Sequence, residues 1–257
     1  MSPGKRQPSS NAFLMRTSLL QSGKNMVGRI LQIIITITAL GLLSSCALLP
    51  RRALVYQPGV VVETLSATTS LSISKGDQGM GSSGYLLYQR PDRMRLVILS
   101  PFGTTMLEAI MDGEQITIVN TSKRAAYSGR IEDLPRTGEG ETWRHARWIM
   151  DTDTPGSSVH NGSVNRVNSM GFKEQVTFAD GLVVTKSLEN GDMVRYGDYE
   201  LVNGIPLATE IIMDSHDGGR FRVKVSEPEV NAVLSSEAFL PRLDGLTLYP
   251  LTALQVP

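Results

Sequence analysis

Cysteine is nearly absent: one residue in 257, Cys46. The chain therefore cannot form an internal disulfide, and its stability has to come from its core. Histidine is almost as scarce. His145, His160 and His216 stand far apart, with no H-x-H or H-E-x-x-H spacing, so no metal site is expected. The chain also lacks a G-x-S-x-G elbow, and its Asp and Glu residues fall mostly at turns or on polar strand faces. No catalytic residue is assigned, and an enzyme is not expected. Missing too are a repeat of 20 to 50 residues and an apolar run of the ~20 residues that a transmembrane helix needs. One glycine motif, Gly79-Met80-Gly81-Ser82-Ser83-Gly84, matches G-x-G-x-x-G. It opens a β-prone run, whereas the dinucleotide fingerprint opens a helix whose N-terminus takes the pyrophosphate; the stretch is read as a flexible hairpin loop.

Charge of one sign is lacking overall, with 25 basic and 25 acidic residues, but its distribution is uneven. Lys5, Arg6, Arg16, Lys24 and Arg29 precede any acid, and no acid occurs in the first 45 residues. Ile30 to Leu43 is then an apolar run of fourteen residues interrupted only by Gln32, two threonines and Gly41. A charged segment, a short apolar segment and small residues follow one another in the order of a secretory signal. Leu43-Ser44-Ser45-Cys46 resembles the lipobox of bacterial lipoproteins, which implies cleavage before Cys46, a covalent lipid on its sulfur and no other cofactor. Met26 is a possible true start, since Met26 to Arg29 already supplies a basic segment. Residue 47 is Ala rather than Asp, which by the sorting habit of enterobacterial lipoproteins implies a periplasm-facing outer-membrane protein. The 212 residues left after position 45 carry 20 basic and 25 acidic side chains, which argues against a nucleic-acid partner.

Residues 46–57 read as a lipidated tether, and the pattern after Pro58 is β. Eleven β-prone runs are separated by turn residues: six before residue 130 and five after residue 170. Asp112-Gly113 marks one hairpin, and Asp180-Gly181, Asn190-Gly191, Asn203-Gly204 and Asp217-Gly218 mark four more. Between the two groups, Glu141 to Met150 reads as one amphipathic helix, with Trp143, Ala146, Ile149 and Met150 on one side and Arg144, His145 and Arg147 on the other. A polar loop is expected from Asp151 to Asn168. The expected fold is mainly β: an unclosed antiparallel half-barrel spanning residues 58–241, with a short helical lid over an apolar cavity. Residues 242–257 form an apolar tail in which proline argues against a central strand. Eleven methionines suit a surface that adapts to flexible ligands, and suit ordinary core filling equally well.

Three segments, in order, resemble the outer-membrane lipoprotein receptor family LolB, of the LolA/LolB superfamily. Leu99-Ser100-Pro101-Phe102-Gly103-Thr104-Thr105 with Leu107-Glu108 is similar to that family's turn and following strand. Trp148-Ile149-Met150 leading to Pro155-Gly156 is similar to the end of its helix. Tyr196-Gly197-Asp198-Tyr199, Ile205-Pro206-Leu207-Ala208 and Gly218-Gly219-Arg220 are similar to its last hairpins. The resemblance implies a monomeric carrier that takes acylated lipoproteins from a periplasmic LolA-like partner and delivers them to the outer membrane. It implies that Phe102, where the family usually has Leu, contacts cargo or membrane, and that Trp143, Trp148 and Met150 line the lid side of the cavity. Each residue also has a plainer reading: Phe102 as a turn residue folded back or simply exposed, the other three as helix-to-sheet core. A structural lipoprotein, or a general lipid-binding half-barrel, is the alternative function.

Overall fold

Two of the turn dipeptides set the geometry of their hairpins directly. Asp180-Gly181 and Asn203-Gly204 each place two consecutive residues at positive φ (51° and 75°; 52° and 81°) between directly paired strand ends. That is the mirror-image turn whose twist matches a right-handed sheet, and only short polar residues and glycine enter it cheaply. Long strands follow from these tight reversals. The computed structural model describes residues 54–134 and 139–254; the signal segment and Cys46 lie outside the described residues.

Among the described residues, thirteen strands form one unclosed sheet. The first half is a meander: β1 (Thr64–Lys75), β2 (Gln78–Gln89), β3 (Arg93–Leu99), β4 (Thr105–Asp112), β5 (Gln115–Asn120) and β6 (Ala125–Arg130). The helix α1 (Glu139–Met150) comes next. A second meander follows with β7 (Gly162–Val167), β8 (Lys173–Ala179), β9 (Leu182–Leu188), β10 (Met193–Val202), β11 (Ile205–Asp214) and β12 (Gly219–Val230). With the last strand, β13 (Thr247–Pro250), the strand order is β13-β6-β5-β4-β3-β2-β1-β12-β11-β10-β9-β8-β7, so the two meanders join where β1 pairs with β12. All of these pairs are antiparallel except that β13 runs parallel to β6. The expected half-barrel with one helix over its apolar face is therefore the fold.

Three details differ from the sequence reading. The described residues form thirteen strands rather than eleven, because β7 arises inside the expected polar loop and β13 inside the tail. Both are edge strands, exposed along most of their length, so they carry no alternation of apolar residues to announce them. The Gly79–Gly84 stretch is part of β2 and not a loop. β1 pairs with all of it, from Gln78 to Gln89, and that long ladder outweighs the poor strand propensity of glycine. Gly84 is required there: a Cβ on it would lie 2.0 Å from the Val97 carbonyl oxygen. Finally, His145 does not face solvent. It is buried, edge-on to the Trp148 and Phe172 rings, because the β7–β9 half of the sheet covers that side of α1.

The helix bridges two apolar clusters. Ala146, with Trp143 and Met150 partly buried beside it, joins the larger cluster built on β1–β5, β11 and β12. Trp148 and Ile149 join the smaller one, with Val176, Phe178, Val183, Val194 and Tyr196. The opposite face of β3 and β4 is covered by a short 3-10 turn, Ser236–Phe239, whose Phe239 is buried under Arg93.

Candidate functional site

Strand alternation turns Leu65 of β1, Leu86 and Tyr88 of β2, Leu207 of β11 and Val225 of β12 to the same side of the sheet, around the seam where the two meanders meet. Ile149 and Met150, at the end of α1, roof this seam, together with Thr152, Asp153 and Pro155 that follow. Between roof and sheet lies an apolar cavity of ≈ 70 Å³. That is well below the ~300–1,000 Å³ of a pocket that holds a drug-sized ligand. In this state the cavity admits a few methylene-sized groups.

The end of α1 is fastened by charge. Lys186 of β9 is almost wholly buried and donates to the carbonyl oxygens of Trp148 and of Asp151 (2.8 Å), capping the helix C-terminus with a cation. Burial pushes its pKa down to about 8. Glu174 of β8, also buried, accepts from the Trp148 indole (2.6 Å) and from Arg166 (2.7 Å), and Arg166 in turn forks onto both oxygens of Asp153 (2.6 and 2.9 Å). These partners hold the Arg166 guanidinium firmly protonated. A second tie is Arg90, just past β2, which donates to the Thr152 carbonyl oxygen at 2.6 Å. None of this network was legible in the sequence. Glu174 and Lys186 sit among polar strand residues, and only the packed structure shows that they are buried.

Three tyrosines line the cavity, and two of them are spent on the backbone. Tyr196 donates to the Ile149 carbonyl oxygen (2.7 Å), and Tyr199 to that of Val183 (2.6 Å). The Tyr88 hydroxyl is buried with no hydrogen-bond partner, and so is Nε of Arg90. A buried donor left unmade costs about 1–3 kcal/mol. Burial pushes Tyr88 up to about 12. The alternation Gly84, Leu86, Tyr88 was the available sequence signal for an inward tyrosine.

The residues expected at the site fall in different places. Met150 lines the cavity. Trp143 is half-buried against the larger cluster, and Trp148 is fully buried in the smaller one, its indole tied to Glu174. Phe102 is remote from all of these, at the tip of the β3–β4 turn, and 93% exposed. The tip is braced: Ser100 Oγ meets Thr104 Oγ1 at 2.8 Å and accepts from the Phe102 and Thr104 amides, while Gly103 takes a φ of 78°. Its ring is held away from the core, forgoing the ~1.5–3 kcal/mol that burial of such a side chain provides. Among the described residues no group of three or more His, Cys, Asp or Glu could hold a metal ion, and no helix is long and apolar enough to cross a membrane.

An open antiparallel sheet with one helix laid over an apolar seam defines a class of cradle-shaped half-barrels. Solved structures give the particular likeness. A DUF1329 family protein from Desulfovibrio piger matches with a TM-score of 0.51 and 11% identity, over 70% of this chain and 90% of that one. An outer membrane lipoprotein-sorting protein domain from Vibrio parahaemolyticus matches with a TM-score of 0.50 and 10% identity, over 68% of this chain and 88% of that one. A LolA superfamily protein from Nitrosomonas europaea aligns over 71% of the chain at 13% identity, with a TM-score of 0.49. At such identities the likeness is one of fold. No protein-family model and no curated protein sequence matches the chain.

Proposed function

We propose that this protein is a lipid-anchored envelope carrier, not an enzyme, that takes acyl chains of lipoproteins into its half-barrel and delivers them to the outer membrane. The observation that carries the reading is the apolar cavity at the β1/β12 seam, roofed by a single helix that polar ties fasten at one end. The physical need is large: exposing an acyl chain of ~15 methylenes to water costs about 12 kcal/mol at ~0.8 kcal/mol per CH₂. A periplasmic crossing therefore calls for an apolar shelter. Phe102, exposed on a braced turn, is suited to enter a bilayer while cargo is released, and the lipid expected on Cys46 keeps the protein at that bilayer. The half-barrel fold shared with the lipoprotein-sorting domain from Vibrio parahaemolyticus agrees with this reading.

A structural half-barrel filled by its own side chains is the second reading, and the small cavity volume favours it. Delivery assays separate the two. Phe102→Glu changes a fully exposed position, so the variant is expected to fold like the wild type yet insert lipoproteins into outer-membrane vesicles far more slowly. Wild-type insertion rates in that variant would remove the delivery role. Cys46→Ser is expected to abolish incorporation of labelled palmitate, and retained labelling would remove the anchor.

A further inference from the structure

Of the polar tips that line the cavity, Tyr196 and Tyr199 are satisfied by backbone carbonyls, whereas the Tyr88 hydroxyl and Arg90 Nε are not. Tyr88 is 4% exposed, and it and Arg90, just past the end of β2, both line the cavity. Both can donate, and guanidinium can only donate. The remaining charge around them is negative: Asp151 lies 4.0 Å from Arg90, and Glu63 and Asp92 add to the field felt at Tyr88. None of these three acids lines the cavity itself, and Asp153, the acid that does, is neutralised by Arg166. A second anion entering here would meet carboxylates, while a neutral oxygen acceptor would meet two open donors.

We infer that Tyr88 and Arg90 form a polar subsite at the end of the apolar cavity that receives the carbonyl oxygen of a neutral acyl ester, with the attached chain lying along the seam. This rests on the acyl-binding reading above and adds what that reading leaves open, which polar group the acyl chain carries. Phospholipids and diacylated lipoproteins both offer such an ester. A free fatty acid offers a carboxylate instead, and the acidic surroundings select against it.

The test uses the full-length protein and three twelve-carbon probes delivered from cyclodextrin: methyl laurate carrying a ¹³C carbonyl, laurate and dodecane. Methyl laurate is expected to bind most tightly, with its carbonyl stretch moved to lower frequency than in hydrocarbon solvent. Tyr88→Phe keeps the ring in the core and is expected to weaken methyl laurate about five- to tenfold, the worth of one neutral hydrogen bond. It is also expected to reverse most of the frequency shift while leaving dodecane unaffected. Equal binding of ester and alkane with an unshifted carbonyl would overturn the subsite and leave the acyl cavity standing. Tighter binding of laurate than of its ester would overturn the choice of a neutral acceptor. Failure of all three probes to bind would sink the acyl reading together with the subsite. Displacement of methyl laurate by a diacylated lipopeptide or by phosphatidylglycerol vesicles supports the subsite and identifies its source of ester, and displacement by neither overturns it.

Discussion

Lys186 offers a quantitative check on how the helix is held. Its ammonium is buried against the last carbonyls of α1, and burial lowers its pKa from 10.5 to about 8. Because the folded pKa lies below the unfolded one, the unfolded chain binds more protons between those two values. Stability therefore rises with pH across that window, by up to about 1.4 kcal/mol per pH unit. From pH 8 to 9.5 the gain from this group approaches about 2 kcal/mol, below the pH at which tyrosines in the unfolded chain ionise. Urea unfolding of wild type and Lys186→Met, measured every half unit from pH 7 to 9.5, isolates the effect by difference. At neutral pH the variant is expected to be less stable by about 3–5 kcal/mol, since Glu174 stays buried with one cation fewer and the Trp148 and Asp151 carbonyls lose their donor. With rising pH the wild type is expected to pull further ahead. A pH-independent difference between the two proteins would refute the account of Lys186 as a buried cation that caps the helix.

Three further outcomes follow from the same geometry. His145 of α1 is held neutral by burial; it faces Asp192 at 3.4 Å, with His216 and Arg144 as the other charged neighbours and the Trp148 and Phe172 rings edge-on. Its folded pKa lies below 6.5, so the melting temperature is expected to drop as pH falls through that value, and a His145→Gln variant that drops equally would contradict this. Trp148→Phe fills most of the same space but leaves Glu174 without its indole donor, and calorimetry should show a loss of about 1–3 kcal/mol. Gly84→Ala drives a methyl group into the Val97 carbonyl, and a loss of about 1–3 kcal/mol in urea unfolding is expected; a neutral result would mean that β2 and β3 separate easily.

The parts of the fold written in the sequence are those set by local chemistry. Asp-Gly and Asn-Gly pairs require positive φ, and the strands between them bury one face, so hairpins and alternation both leave a pattern. Edge strands β7 and β13 bury little and leave none, which is why a polar loop and a proline-bearing tail were expected in their places. The helix was legible on its Trp143, Ala146, Ile149 and Met150 side. Its His145 side was not, because whether a polar residue is covered depends on strands that close over it from far along the chain. Phe102 was singled out only through the resemblance of the Ser100-Pro101-Phe102-Gly103 turn to a known family; the residues alone left a turn aromatic that is either exposed or folded back. Tyr88 and Arg90 were ordinary strand-end residues until β1, β2, β11, β12 and the end of α1 were brought around them.

The most direct test of the account replaces methionine with photomethionine in cells and maps acyl adducts on the irradiated protein by mass spectrometry. Met150 lines the cavity under the helix, whereas Met80 is exposed on β2, away from it. Acyl adducts at Met150 and none at Met80 are the predicted result; labelling confined to Met80, or no adduct at Met150, would contradict the claim that the half-barrel shelters an acyl chain.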